Sequence, residues 1–429
     1  MENKKGSLSK IFLSTIAGNA LEFYDLALLG FLAPTIAHLF FSSENPRLAA
    51  IGSLGTFAIA FVVRPLGAIL FGHFGDRVGR KRALVLSITM MCVSSTLIGC
   101  LPTYENIGVT APILLICCRF IQGIAIGSEY NGAAIFALEH YEGNKRSFFG
   151  SLLSAGAISG YLLASGISLI CTQSWMPSWG WRLPFFFGLV IAAVGLYIRR
   201  NISETPAFTS LKKNAIPNYP LMNAFITNPL SSLATIGFGI SISNIALMLM
   251  GYMTTYLVNV LHIPSATAMF INVMAISILA VFIPIMGYLG NILSSKVVMM
   301  ISAWMIVALI FPIYTLTVTL QPFNILMAQG LLAILTAGLI GPSHSVIFSL
   351  FPAHNRYSGA CFNYTLGAAC GGVGPIISEV LIQKTQNITS PAFFIMLSSV
   401  VTIVSLILIS IKNLKQNFFL RANSFLKIT

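Results

Sequence analysis

An all-α integral membrane protein, with twelve transmembrane helices in two six-helix pseudo-symmetric halves, is the fold class the sequence predicts. Three observations predict it. Hydrophobic residues make up 56% of the chain and charged ones 8%, which excludes a soluble globular protein. Apolar stretches near the roughly 20 residues needed to cross a bilayer recur along the whole chain. Basic residues gather at the ends of those stretches and favour one side. The net charge of +13 therefore marks membrane boundaries, and no nucleic-acid partner is expected.

In order, the spans fall at 12–40, 48–72, 83–101, 111–139, 148–171, 183–200, 226–250, 266–289, 297–319, 323–349, 357–382 and 391–411. The first is no cleavable signal, because its apolar run is long and carries Glu22 and Asp25. The second and third are joined by RPLGAILFGHFGDRVGRKR at 64–82, a turn so short that both helices end on one side. The glycines there let two helix ends approach, and Asp76 is placed to cap or pair at a helix terminus. Trp175, Trp179 and Trp181 before the sixth span read as an interfacial anchor. Residues 201–225 are the longest polar interruption and set the divisions: 1–200 an N-terminal bundle, 201–225 a central loop, 226–429 a C-terminal bundle with a short tail.

Twelve spans put both termini on one side. Nineteen of the 24 Lys and Arg then fall on that side, from Lys4, Lys5 and Lys10 to Lys412, Lys415, Arg421 and Lys427. Only Arg47, Arg182 and Lys384 fall opposite, and Arg64 and Arg119 lie inside spans. Both termini are expected to be cytoplasmic. The seven cysteines lie in or at the ends of spans without metal-ligand spacing and read as small buried hydrophobes. No metal or cofactor site and no hydrolase or phosphate-cradling motif is found, so no enzyme is expected.

The 64–82 turn resembles the signature of the major facilitator superfamily, G-x-x-x-D-R-x-G-R-R, here Gly72, Asp76, Arg77, Gly79, Arg80 and Lys81. The halves read as repeats: Gly72-x-x-x-Asp76 is echoed by Gly287-x-x-x-Asn291, and Lys81 by Lys296. The echo is degraded, with Ile292 for Arg77 and Ser295 for Arg80. Glu139, Arg146 and Glu204 resemble the gating charge relay of sugar-porter-like facilitators. In the C-half Arg356 persists, while Ser349 occupies the place of the acid.

A charge inside the hydrocarbon costs about 2.5–3.5 kcal/mol, so the buried ones mark function. Glu22 and Asp25 share a face of the first helix, and Tyr24 lies between them. Arg119, Gln122, Gly123, Gly127 and Tyr130 form one stripe of the fourth helix, with Glu129 on the same side as Gln122. Gly123-x-x-x-Gly127 allows a neighbouring helix to pack close. Arg119 and Glu129 stand roughly 15 Å apart along the axis, so each needs a partner elsewhere. Glu22 and Asp25 are the available acids for Arg119 or Arg64. His344 reads as a hydrogen-bonded packing histidine, with a proton site as the alternative, and Glu379 as a boundary charge.

Further runs narrow the resemblance: GNALEFYD at 18–25, RPLG at 64–67, GSEYNGA at 127–133, WGWRLPF at 179–185, ETPAF at 204–208 and FPAHNRYS at 351–358. Together they resemble the metabolite–proton symporter family, and most of all bacterial proline/glycine betaine transporters. The resemblance implies a monomeric, multi-pass transporter of the bacterial inner membrane, importing a small zwitterion with the proton as coupling ion and no cofactor. It places the carboxylates of the first and fourth helices, Glu22, Asp25 and Glu129, and Arg119 on the substrate and proton pathway; the helix positions add Tyr24, Arg64, Gln122 and Tyr130 as candidates and rank Glu129 and Asp25 ahead of Glu22 as coupling acid. The alternative is a proton symporter or uniporter for an organic acid such as 2-oxoglutarate or citrate. A membrane enzyme lacks a catalytic group, and a receptor lacks a sizeable soluble domain. Osmosensing members carry an extended charged central loop and a C-terminal coiled coil. The loop here is short and the residues after 412 lack heptads, so a weak response to osmolality is expected.

Overall fold

A computed structural model describes residues 2–41, 46–173, 175–200, 202–211 and 217–425. Of the boundary charges above, Lys212, Lys213 and Lys427 lie outside them, as do the side chains of Lys4, Lys5, Arg47, Lys415 and Arg421. The described residues are mostly helical and contain eleven membrane-length helices plus one bent pair, which makes twelve spans when the pair is taken as one.

The first half runs through α1 (Glu2–Phe31, continued by Ala33–Phe40), α2 (Pro46–Arg77), α3 (Arg80–Cys100), α4 (Thr110–Ile126, continued by Glu129–Glu139), α5 (Arg146–Cys171) and α6 (Leu183–Arg200). The second half runs through α7 (Pro229–Leu247, a π turn Met248–Tyr252, then Met253–Asn259), α8 (Ser265–Leu293), α9 (Ser295–Val318), α10 (Pro322–Leu350), α11 (Arg356–Gly371 and Gly374–Thr385) and α12 (Pro391–Phe425). Residues 201–225 hold two short helices, Pro206–Thr209 and Pro220–Thr227.

Three spans depart from a straight rod. The expected span 12–40 bends by 65° at Leu32. Pro34, two residues on, lacks an N–H and crowds the preceding turn, so the helix restarts rather than continues. Helix α7 extends to Asn259, beyond the expected 250, through its π turn. Helix α4 breaks at Gly127 and Ser128, where the Ser128 carbonyl still accepts from the Gly132 N–H at 2.8 Å. Thr365 Oγ1 of α11 donates to Gly127 O at 2.8 Å, and Cys361 Sγ approaches Ser128 O at 3.5 Å.

The halves repeat one another in their contacts. In the first, α1 packs on α5, α2 on α4 and α3 on α6; in the second, α7 packs on α11, α8 on α10 and α9 on α12. Close backbone approach depends on glycine, as the stripe of α4 predicts: a Cβ on Gly123 or Gly127 would collide with α2 at Ala60 or Arg64. Between the halves α2 meets α11, and α5 meets α8 and α10. Two expectations for the aromatic and sulfur residues change. Trp175 and Trp179 are exposed, but Trp181 is buried against Phe40 and Phe185. Cys118, Cys171 and Cys361 are buried, whereas Cys100, Cys117 and Cys370 are exposed on the apolar outside.

Candidate functional site

Three groups of polar side chains are built into this apolar frame. The first joins the halves at the end where α2 turns into α3. Asp76, fully buried, accepts hydrogen bonds from the backbone N–H groups of Tyr357 (3.3 Å) and Ser358 (2.8 Å) at the start of α11. A helix N-terminus presents free N–H groups and partial positive charge, so a carboxylate fits there. Arg80, also fully buried, lies 3.2 Å from Asp76 and 3.4 Å from Glu139, and donates to the Ala353 carbonyl at 2.5 Å. Arg356 pairs with the other Glu139 oxygen at 2.9 Å, and the Thr205 hydroxyl donates to Glu139 at 2.6 Å. Glu139 is therefore the acid shared between the two halves.

The relay expected from the sequence is rearranged here. Arg146 is exposed and lies over Phe348; no ion pair joins it to Glu139 among the described residues. Arg356 takes that role because α11 is held against α2 by Asp76. Among the described residues Glu204 makes no ion pair with a basic side chain. It caps α3 instead, accepting from the Lys81 N–H at 3.1 and 3.2 Å. Lys81 in turn donates to the Arg200 carbonyl at 2.9 Å, while Arg77 is exposed. Gly79, at φ 131°, makes the turn; a side chain there would be strained and would strike Glu204. Gly72 lies against Ser358, close enough that its lack of a side chain lets α2 meet α11.

The second group lies inside the N-half. Ser95 of α3 donates to Asp25 of α1, and Gln122 of α4 donates to Ser95 at 2.7 Å. Arg119 donates to Gln122 at 2.6 Å and to the Thr56 carbonyl at 3.3 Å. Asp25, Ser95, Gln122 and Arg119 thus form one buried chain across three helices, α1, α3 and α4. Asp25 meets the charge of Arg119 through it, as the sequence suggested, but by way of two neutral residues. Glu129 departs from expectation. It pairs with Arg199 of α6 at 2.6 Å and accepts from Ser87 at 2.5 Å. Arg199, read as a boundary charge, is 2% exposed. Glu129 is thus held by a dedicated arginine and a hydroxyl. The Tyr24 hydroxyl donates to the Pro184 carbonyl at 2.7 Å, tying α1 to α6.

The third group lies between the halves. Tyr130 of α4 is its hub, with ring centroids 5.6 Å from Phe23 of α1, 4.5 Å from His344 of α10 and 5.7 Å from Tyr364 of α11. The Tyr130 hydroxyl bonds Ser154 of α5 at 3.1 Å. Glu22 and Arg64 are electrostatic neighbours of one another and of this ring cluster. The Arg64 guanidinium stands 4.3 Å over the Phe61 ring. Glu22 Oε2 and Arg64 Nε and Nη2 are buried with no hydrogen-bond partner among the described residues. Opposite charges, aromatic faces and unsatisfied polar atoms converge here. Glu379 is not a bare boundary charge: it accepts from Tyr252 in the π turn of α7 at 3.1 Å. A cleft of about 320 Å³ between the bent end of α1 and the α5–α6 connection, lined by His38, Cys171 and Trp181 among others, is remote from all three groups.

Residues 10–217 match the family model described as sugar (and other) transporter. A glycine betaine/proline/ectoine/pipecolic acid transporter of Dickeya dadantii is 33% identical over 93% of this chain and 83% of its own. The proline/betaine transporter of Escherichia coli is 32% identical over the same shares, 93% and 83%. An inner membrane metabolite transport protein of Escherichia coli is 33% identical, covering 94% of both chains. Among solved structures, the proton:xylose symporter XylE bound to 6-bromo-6-deoxy-D-glucose superposes with a TM-score of 0.71 at 14% identity, over 94% of this chain and 95% of that one. The partially occluded inward-open XylE from E. coli gives 0.66 at 17% identity, over 94% and 97%. At such identities these structures speak for the fold.

Proposed function

The chain belongs to the major facilitator superfamily, among the relatives of the proline/betaine transporters, and on that premise we propose a proton-coupled symporter for a small zwitterion. It is a multi-pass transporter. The substrate is an osmolyte or amino acid of the proline/betaine kind, imported by alternating access across a bacterial inner membrane with both termini cytoplasmic. The observation that carries this reading is the group between the halves. Glu22 offers an anion, Arg64 a cation, and Phe23, Tyr130 and Tyr364 offer π faces. A zwitterion has a cationic end for a carboxylate and aromatic rings, and an anionic end for a guanidinium.

Proton coupling is supported by the buried carboxylates. Glu22 has one oxygen unpartnered and Asp25 has one oxygen unpartnered among the described residues. A carboxylate changes its proton affinity when a cation or hydrogen bond beside it moves, so either acid is suited to trade a proton as the halves rock. Joined through Asp76, Glu139 and Arg356, the halves support a conformation closed toward the cytoplasm.

Arg64 also supports the second reading. Two of its buried nitrogens lack partners among the described residues, and an organic acid such as 2-oxoglutarate or citrate would satisfy them. Proteoliposome uptake of labelled proline, glycine betaine and 2-oxoglutarate, with and without an inward proton gradient, separates the readings. The expected result is gradient-driven accumulation of proline or betaine. Asp25→Asn or Glu22→Gln should abolish that accumulation and spare counterflow exchange, which moves no net proton. Full accumulation in both variants, or uptake of 2-oxoglutarate alone, overturns the proposal.

A further inference from the structure

His344 is a buried polar residue between the halves that the preceding reading leaves without a task. It lies on α10, 1% exposed, with its Cβ facing Gly150 of α5 and its ring 4.5 Å from Tyr130. Neither ring nitrogen has a hydrogen-bond partner among the described residues. The sequence suggested a hydrogen-bonded packing histidine; that hydrogen bond is not there. A neutral imidazole carries one N–H donor and one acceptor nitrogen. Burying both unpaired is costly, and a leucine or phenylalanine would fill the same space without the cost. A tolerated cost of this kind points to a group that is satisfied by something else.

Its position says by what. Tyr130 touches His344 on one side and Phe23 and Tyr364 on others, and Tyr130 and Tyr364 are electrostatic neighbours of Glu22. His344 is therefore one ring away from the charged residues of the N-half, but belongs to the C-half. We propose that His344 is a substrate contact of the C-half, its ring N–H donating to the carboxylate of the zwitterion while the cationic end sits among Tyr130, Tyr364 and Glu22. This rests on the zwitterion reading above. A ligand held so bridges the halves, with Glu22 and Arg64 on one side and His344 on the other. Its release then depends on the halves moving apart.

The test compares two ligands with the same trimethylammonium group, glycine betaine, which has a carboxylate, and choline, which does not. Binding to the purified, full-length protein is measured for wild type, His344→Phe and His344→Gln. Phe keeps the stacking surface and loses the donor; Gln keeps an N–H and loses the ring. His344→Phe should weaken betaine by about tenfold or more, the scale of a hydrogen bond to a charged group, and leave choline within about twofold. His344→Gln should keep most of the preference for betaine. Histidine-labelled wild type should also show a ring ¹⁵N shift of His344 on adding betaine and none on adding choline, a readout that survives if the Phe variant fails to fold. If His344→Phe weakens both ligands alike or neither, or if the ring shift is absent, His344 is a packing residue and this inference falls alone. If wild type binds neither betaine nor proline, the zwitterion reading falls and takes this inference with it.

Discussion

The same device closes the two halves against each other twice, once with a charge and once without. Asp76, at the end of α2, takes the N–H groups of Tyr357 and Ser358 where α11 begins. Asn291, at the end of α8, takes the Ser147 N–H where α5 begins, at 3.0 Å. Gly72 and Gly75 bring the first pair of helices together, and Gly287 and Gly290 the second, against Ser151 and Ser147. The backbone contact is of the same kind, two N–H groups at Asp76 and one at Asn291, and its surroundings differ. Around Asp76 stand Arg80, Glu139 and Arg356. Around Asn291 the positions of Arg77 and Arg80 hold Ile292 and Ser295. The difference teaches that the neutral copy suffices for docking, and that the charged copy adds strength that depends on several partners staying together.

The largest break in this comparison is expected from Glu139→Gln. Glu139 is shared by Arg80, which is fully buried, and by Arg356; its loss takes the ion pair from Arg356 and leaves Arg80 with Asp76 as its one remaining acid among the described residues. Removing one partner of a buried ion pair costs about 3–5 kcal/mol. That exceeds a helix-terminus interaction, worth about 2 kcal/mol at most. The Asp76 end should open in most molecules. Spin labels at Val78 and Leu293, exposed equivalents in the two halves, should show a longer distance than in wild type. An unchanged distance distribution in a folded Glu139→Gln protein contradicts the shared-acid role.

How much of this was legible in the chain depends on the range of each interaction. The twelve spans, the α2–α3 turn and the stripe of α4 are written locally, in runs of apolar residues and in three- and four-residue spacings. The cost of burying Glu22, Asp25, Arg64 and Arg119 singled them out before any contact was known. The partners were not legible, because they are set by helix rotation and by the docking of one half on the other. Arg199 shows this well: beside Arg200 at the end of a span it reads as a boundary charge, yet it turns inward to Glu129, 70 residues away. The signal for it was available by elimination, since Glu129 needed a cation and Arg119 was too far. Arg356, rather than Arg146, reaches Glu139 because closure between halves leaves no mark on the local sequence. Pro34 was a readable stop inside the first span. The unpaired ring of His344 was not readable at all, since a spacing cannot show that a hydrogen bond is missing.

Making the charged copy resemble the neutral one comes next in size. Asp76→Asn keeps an acceptor for only one of the Tyr357 and Ser358 N–H groups, which bond to different oxygens of Asp76, and removes the charge from the helix terminus and from Arg80. A loss of about 1–2 kcal/mol is expected, roughly tenfold in the ratio of closed to open at this end, with membrane insertion intact. Transport should slow and the distance between the Val78 and Leu293 labels should shift part of the way seen for Glu139→Gln. Unaltered turnover together with an unaltered distance would sink this. The reverse change, Asn291→Asp, should have a smaller effect, because Asn291 is only half-buried and already holds the Ser147 N–H without a charge, a bond that a carboxylate keeps.

The smallest effect sharpens the comparison at the turns themselves. Gly79 opens α3 at φ 131° and Ser294 opens α9 at φ 87°, in equivalent places of the two repeats. Glycine adopts such angles freely, whereas a serine pays for them with a clash of its own Cβ. Non-glycine residues in these regions cost of order 1–3 kcal/mol each. At Ser294 nothing visible offsets that: the residue is exposed, and its hydroxyl makes no hydrogen bond among the described residues, while its carbonyl accepts from Val297 and Val298 at 3.1 and 3.2 Å. Those two bonds belong to the backbone and survive substitution. Ser294→Gly should therefore relieve the strain, less the extra freedom that glycine brings to the unfolded chain, for a net gain of about 1 kcal/mol. In detergent the thermal midpoint should rise slightly, with the Val78–Leu293 label distance and the transport rate unchanged, because neither Asn291 nor the Ser147 N–H is touched. A fall in the midpoint would mean that the serine side chain holds the turn, and that the C-half turn is built differently from its N-half counterpart.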